Sequence, residues 1–143
     1  MKYNLGITGH TGVLGSEFIK YNLSKEFLKF NGDITKKNDI SKWIAKNNIN
    51  YLFHFAALVP TKSVKKNFNY ANRVNFMGTK HLVDECLKSK KIKWFFFAST
   101  SHVYGFSDKK ISEKKKINPI SKYGLTKLRA ENYIKKKFEN RGE

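Results

Sequence analysis

The chain has 143 residues, 40% hydrophobic and 15% aromatic, which suits one domain with a real core. Its formal net charge of +18 raises the reading of a basic nucleic-acid-binding protein, but the lysines run along the whole chain with only short clusters at 114–116 and 135–137. They do not interleave with aromatics as in a DNA or RNA module, so no nucleic-acid partner is expected, although a basic surface still attracts anionic ligands such as nucleotides. One cysteine, Cys86, excludes a disulfide framework and a cysteine metal site; no apolar stretch is long enough for a membrane, no signal peptide is read, and a cytoplasmic setting is expected.

The first stretch is the most informative. Tyr3, Leu5 and Ile7 lead as a strand into Thr8-Gly9-x-x-Gly12-x-x-Gly15, and a helix pattern follows with Leu14, Phe18 and Tyr21 at helical spacing. A tight turn needs the backbone freedom of Gly9, Gly12 leaves room for a pyrophosphate, and Gly15 lets helix and strand lie close. The free N–H groups at the helix start then face phosphate charge. The bland alternative is a glycine turn that merely packs.

Beyond it, Glu26 to Phe30 reads as a short strand, and Asn31-Gly32-Asp33-Ile34 leads to a helix opening near Lys36. Asp33 lies near the distance, about 20 residues past the glycines, at which an acidic residue holds an adenosine ribose; it reads equally as turn chemistry before a helix. The helix from about Asp39 to Asn47 carries Ile40, Trp43 and Ile44 on one face. Tyr51 to Ala57 reads as a buried strand ending in two small residues, which leave room for a ligand at the strand end. His54 within it reads as a satisfied core histidine. After a loop with Pro60, a long helix is expected from about Tyr70 to Lys88, with Val74, Met77, Leu82 and Cys86 inward and Asn75 and Gly78 interrupting that stripe.

Ile92 to Ala98 reads as a strand covered on both faces. Ser99, Thr100 and Ser101 stand at its end, on the ligand side of a parallel sheet, followed by His102-Val103-Tyr104-Gly105. After a polar loop, Pro119 and then Ser121 as N-cap introduce a helix from Lys122 to about Phe138. Tyr123, Lys127, Ala130 and Ile134 share one of its stripes. A buried phenol and ammonium are costly unless both are used, whereas a surface Tyr–Lys pair is commonplace. The expected fold is α/β: a doubly wound parallel sheet with helices on both faces.

In this order, Thr8-Gly9-x-x-Gly12-x-x-Gly15, His54-Phe55-Ala56-Ala57, Asn75-x-x-Gly78-Thr79, Ser99-Thr100-Ser101-His102-Val103-Tyr104-Gly105 and Tyr123-Gly124-Leu125-Thr126-Lys127 resemble the extended short-chain dehydrogenase/reductase family. This is the family of NAD-dependent epimerases, dehydratases and reductases of nucleotide sugars. The compressed second strand is similar to the dTDP-dehydrorhamnose reductase branch, and Val103-Tyr104-Gly105 to the sugar 4-epimerase branch.

The resemblance implies that Gly9, Gly12, Val13, Leu14 and Gly15 cradle the pyrophosphate and that Asp33 and Ile34 lie at the adenine. It implies Phe55, Ala56 and Ala57 along the ribose and nicotinamide, with Asn75 and Ser99 also on the cofactor's side. Thr100, Tyr123 and Lys127 match the catalytic set, Tyr123 as acid/base, Lys127 also holding the nicotinamide ribose. Lys127 and oxidised nicotinamide would draw the phenol down toward working pH. The implied cofactor is NAD, with NADP left open, the implied partner a nucleotide-sugar substrate, and a homodimer through helices including that of Tyr123 fits the pattern. Dehydratases of the family carry an acidic pair where this chain has Ser101 and His102, and related decarboxylases carry a glutamate just before the valine. Epimerisation or keto-sugar reduction is therefore expected. Members run to about twice this length, so residues 1–143 are expected to be the N-terminal NAD(P)-binding domain of a longer enzyme. The alternative is a dinucleotide-binding module without catalysis.

Overall fold

Strand β1, Leu5–Thr8, is the centre from which the sheet is built. In this computed structural model, which describes residues 3–59 and 67–139, β1 pairs in parallel with β2 (Phe27–Lys29) on one side and β3 (Tyr51–His54) on the other. β4 (Trp94–Phe97) adds beyond β3, giving the parallel order β2-β1-β3-β4. The register Ile7↔Phe53↔Phe96 and Thr8↔His54↔Phe97 aligns the C-terminal ends of three strands. This is a Rossmann-like α/β arrangement, as expected from alternating strands and helices.

The chain falls into two units, Met1–Ala57 with His81–Ala98 and Leu58–Lys80 with Ser99–Glu143. The first holds the sheet. Helix α1, Val13–Lys20, lays Phe18 against Phe27, Phe53 and Phe55, with ring centroids 4.7–5.6 Å apart. Helix α2, Lys37–Asn47, covers the opposite face through buried Ile40 and Ile44 and through Trp43, whose ring lies 5.2 Å from that of Phe30. Gly6 is glycine because a Cβ there would sit 2.8 Å from Ile49. Ile7, Leu52, Leu82 and Val83 have no exposed surface, each worth about 1.5–3 kcal/mol of burial.

Some expectations need correction here. Helical spacing does not bring Leu14 and Tyr21 onto the sheet beside Phe18: they are 64% and 80% exposed, because α1 is short and only its middle meets the sheet. Nor is β4 covered on both faces among the described residues. Trp94 and Phe96, on the α1 side, remain 44% and 36% exposed. Cys86 is packed as a small apolar group, and burial pushes its thiol far up.

In chain order, helix α3, Phe68–Asn72, runs into a π turn, Arg73–Gly78, and then helix α4, Thr79–Lys88. The π turn changes which side chains point inward. The buried set is Ala71, Asn75, Gly78, Thr79, Leu82, Val83, Glu85 and Cys86, while Val74 and Met77 are half-buried. The polar and small residues that were expected to interrupt the stripe are members of it. The Pro60 loop lies outside the described residues. In the second unit a single 3-10 turn, Ser101–Tyr104, precedes α5, Lys122–Glu139. Ser121 caps α5 as expected, its Oγ accepting from Gly124 N at 2.9 Å. Among the described residues no helix is long and apolar enough to cross a membrane.

Candidate functional site

The glycine turn is held from beneath by the end of β3. Phe55 N donates to Thr8 O at 3.1 Å, and Ala56 N to Thr8 Oγ1 at 3.4 Å. The same hydroxyl bonds His54 Nδ1 at 2.6 Å. His54 is 1% exposed and is a satisfied core histidine, as its place in the strand implied. Gly9 takes φ +73°, and a Cβ on it would lie 2.4 Å from Ala56 N. A Cβ on Gly15 would lie 2.3 Å from Gly9 O, so helix and turn are in backbone contact. At Gly12 a Cβ would meet only Gly9 O at 3.3 Å, which leaves the outer side open. No side chain caps α1 at Gly12 and no acid stands in its first turn, while Val13 and Leu14 are exposed. An uncapped, acid-free helix start of this kind suits a pyrophosphate, and the residues present fit a dinucleotide.

The neighbouring expected contacts are more mixed. Phe55 turns its ring into the aromatic face, 5.2 Å from Phe18 and 5.4 Å from Phe96, so it offers the strand end its backbone. Ala56 and Ala57 leave that end open. Asp33 Oδ1 accepts from Thr35 N at 2.9 Å and Thr35 Oγ1 at 2.8 Å, and Asp33 N donates to Asp39 Oδ2 at 2.9 Å. Its carboxylate thus closes the turn ahead of α2, the second of its two sequence readings. Ile34 is 8% exposed and belongs to the core.

The second unit brings Thr100, Tyr123 and Lys127 together. Thr100 ends its extended segment with Oγ1 accepting from His102 N at 3.2 Å. Tyr123 is 9% exposed and packs on Ala71 and Leu58. Burial pushes its phenol above the ordinary value, and the neighbouring Thr100 hydroxyl works the other way. One turn on, Lys127 is 2% exposed. Burial lowers its ammonium to about 8, opposed by the negative charge of Glu131. The expected lowering of the phenol is therefore not built into the protein part of the site.

Two further features sharpen this corner. The His102 ring stands edge-on to Tyr123 with centroids 5.6 Å apart, and its Nδ1 lies 3.4 Å from Ser121 Oγ. Gly124 has to be glycine, because a Cβ would come within 2.5 Å of His102 O. Asn75, 1% exposed, accepts from Leu58 N at 2.7 Å and donates to Leu58 O and Thr126 Oγ1, both at 3.0 Å. Its amide is spent on fixing Leu58 and α5. Ser99 turns its hydroxyl to Glu131 Oε1. Glu131 was missed in the sequence; its four-residue spacing from Lys127 was the signal available.

A parallel sheet with a glycine turn after its first strand, and a buried Tyr–Lys pair at the start of a later helix, define a dinucleotide-fold protein of the Tyr-x-x-x-Lys kind. The NAD dependent epimerase/dehydratase family matches residues 5–141, and the chain belongs to it. A putative UDP-glucose 4-epimerase of Methanocaldococcus jannaschii is 27% identical over 90% of this chain and 49% of its own length. Among solved structures, MoeE5 in complex with UDP-glucose and NAD has a TM-score of 0.82 at 27% identity, covering 92% of this chain and 48% of that one. The Thermus thermophilus UDP-glucose 4-epimerase in complex with NAD has a TM-score of 0.88 at 20% identity over 97% and 52%, a likeness of fold. The chain spans about half the length of these relatives.

Proposed function

We propose that the chain carries the cofactor-binding and proton-transferring half of an NAD-dependent nucleotide-sugar epimerase or reductase. The observation that carries this reading is a phenol and an ammonium, Tyr123 and Lys127, buried one helical turn apart on α5, with Thr100 drawing the phenol down. A binding module has no need to bury an ammonium at that cost. The bound dinucleotide would supply hydride acceptance and return. Gly9, Gly12 and Gly15 would hold its pyrophosphate at the start of α1, with the backbone of Phe55 to Ala57 beside the glycine turn. The solved relative in complex with UDP-glucose and NAD supports NAD as the cofactor and a UDP-sugar as the substrate class.

The residues of this chain then divide the proton work. Tyr123 Oη takes the proton from the sugar hydroxyl as the carbon is oxidised and returns it on reduction. Thr100 donates to the same sugar oxygen as charge grows there. Lys127, when charged, favours phenolate at Tyr123, and together with a bound oxidised nicotinamide it would act against the upward push of burial. The test measures NAD+ binding by calorimetry, then UDP-glucose/UDP-galactose interconversion and keto-sugar reduction. With Tyr123→Phe, turnover is expected to fall about 100-fold or more while NAD+ affinity stays within a few-fold. Turnover within a few-fold of the parent rejects the role of Tyr123. Binding of NAD+ without turnover of any nucleotide sugar favours the module reading, for which the half-length match speaks.

A further inference from the structure

We propose that Glu131 is a positioning residue for Lys127: its carboxylate, fixed by the Ser99 hydroxyl, keeps the buried ammonium charged and in place beside Tyr123. Lys127 and Glu131 are four residues apart on α5, the spacing that sets side chains one above the other on one helix face. Lys127 is 2% exposed, so water gives its charge little support. Burial alone drives such an ammonium toward the neutral amine, and Glu131 opposes that shift. The carboxylate does not swing freely, because Ser99 Oγ donates to its Oε1. Ser99 immediately precedes Thr100, so this bond also ties α5 to the segment that presents the Thr100 hydroxyl.

Other titratable side chains on α5 and on the elements packed against it include Tyr123 and Arg129 on α5, Tyr70 and Arg73 on α3 and the π turn, and Tyr104 and His102 on the 3-10 turn, the His102 ring meeting Tyr123 edge-on. None of these is a carboxylate, as Glu131 is. A charged Lys127 is what the acid/base role of Tyr123 requires; a neutral amine would leave the phenol in its buried, proton-holding state. Glu131 therefore acts on the reaction through Lys127, without touching cofactor or sugar. The sequence Tyr123-x-x-x-Lys127-x-x-x-Glu131 is thus one line of function along α5.

The proposal deepens the catalytic reading above, but its first readout is the titration of Lys127 itself, which needs neither cofactor nor sugar. The full chain is labelled with 13C,15N-lysine, and the Nζ and Cε signals are followed against pH by NMR. The Lys127 signal is identified by its loss in Lys127→Met. In Glu131→Gln the Lys127 midpoint should drop by about one pH unit, a roughly tenfold weaker hold on the proton. Glu131→Asp should fall between Gln and the parent, and Ser99→Ala should move the midpoint in the same direction by less. Circular dichroism checks that each variant is folded, and Glu131→Asp, which keeps the charge, covers the case in which the Gln variant does not fold. An unchanged midpoint in Glu131→Gln, or in Glu131→Asp should the Gln variant not fold, overturns the proposal whatever the turnover. A shifted midpoint in a chain that turns over no sugar upholds it and counts against the catalytic reading alone.

Discussion

Replacing Lys127 by methionine should make the protein more stable at neutral pH while removing its function. The Lys127 ammonium is 2% exposed, and burial lowers its titration from 10.5 to about 8. That difference of about 2.5 units, at about 1.4 kcal/mol per unit, corresponds to on the order of 3 kcal/mol of stability lost at pH 7. The attraction of Glu131 is already contained in the net shift. The sign follows from proton binding. Below pH 8 Lys127 is charged in both folded and unfolded chains, and the full cost applies. Between about 8 and 10.5 the folded chain has released the proton and the unfolded chain has not, so stability rises with pH. Above 10.5 both forms are neutral and the cost has vanished. Methionine has similar length and no charge, so Lys127→Met should gain up to ~3 kcal/mol at pH 7 and lack the alkaline rise. Urea unfolding followed by circular dichroism at pH 7 and pH 10 measures both. A methionine variant less stable than the parent at pH 7, or one with the same pH dependence, would refute the argument.

The glycine turn and the cap of α5 give two more predictions. Gly15→Ala places a Cβ 2.3 Å from the carbonyl oxygen of Gly9, backbone against backbone; it should cost about 1–3 kcal/mol in urea unfolding and weaken NAD+ binding by at least roughly tenfold, since the turn must shift. Parent-like affinity in calorimetry would mean that the cradle is not formed by this turn. Ser121→Ala removes the acceptor for Gly124 N and should cost about 1 kcal/mol, with Ser121→Asp restoring most of it. No loss in the alanine variant would place the cap elsewhere.

How much was legible in the sequence depended on how local each signal was. The glycine turn and the Tyr123–Lys127 pair were legible because their meaning lies within one turn of backbone. The alternation of strands and helices gave the sheet for the same reason. The inner stripe of 70–88 was legible at Leu82 and Cys86 but not at Val74 and Met77, because a helical period of 3.6 assumes an unbroken α-helix and the π turn at Arg73–Gly78 shifts the register within it. Val74 and Met77 therefore yield the interior to Asn75 and Gly78. Asp33 could not be decided by spacing, because a turn before a helix and a ribose contact put an aspartate in the same place. Partners distant in sequence were invisible altogether: Asn75 with Thr126, Ser99 with Glu131, Thr8 with His54.

Those distant pairs explain why so many motif residues are polar and yet so few are left for chemistry. Thr8 and His54 lock the ends of β1 and β3 together, which fixes where the glycine turn starts. Asn75 uses its whole amide to hold Leu58 and Thr126, and Thr126 in turn donates to Tyr123 O at 2.8 Å. Ser121 fixes the first turn of α5 and leans on His102. A phenol that is to serve as acid and base needs its oxygen held in place, and the bonds of Asn75, Thr126 and Ser121 within the second unit each remove a way for Tyr123 or its surroundings to move. The π turn belongs to this logic, since it is what directs Asn75 inward. Within the second unit the polar core is thus a frame of hydrogen bonds around Tyr123, and the remaining cost is concentrated on Lys127. That is the pattern expected where a fold gives up stability at one buried charge to keep a reactive group in position.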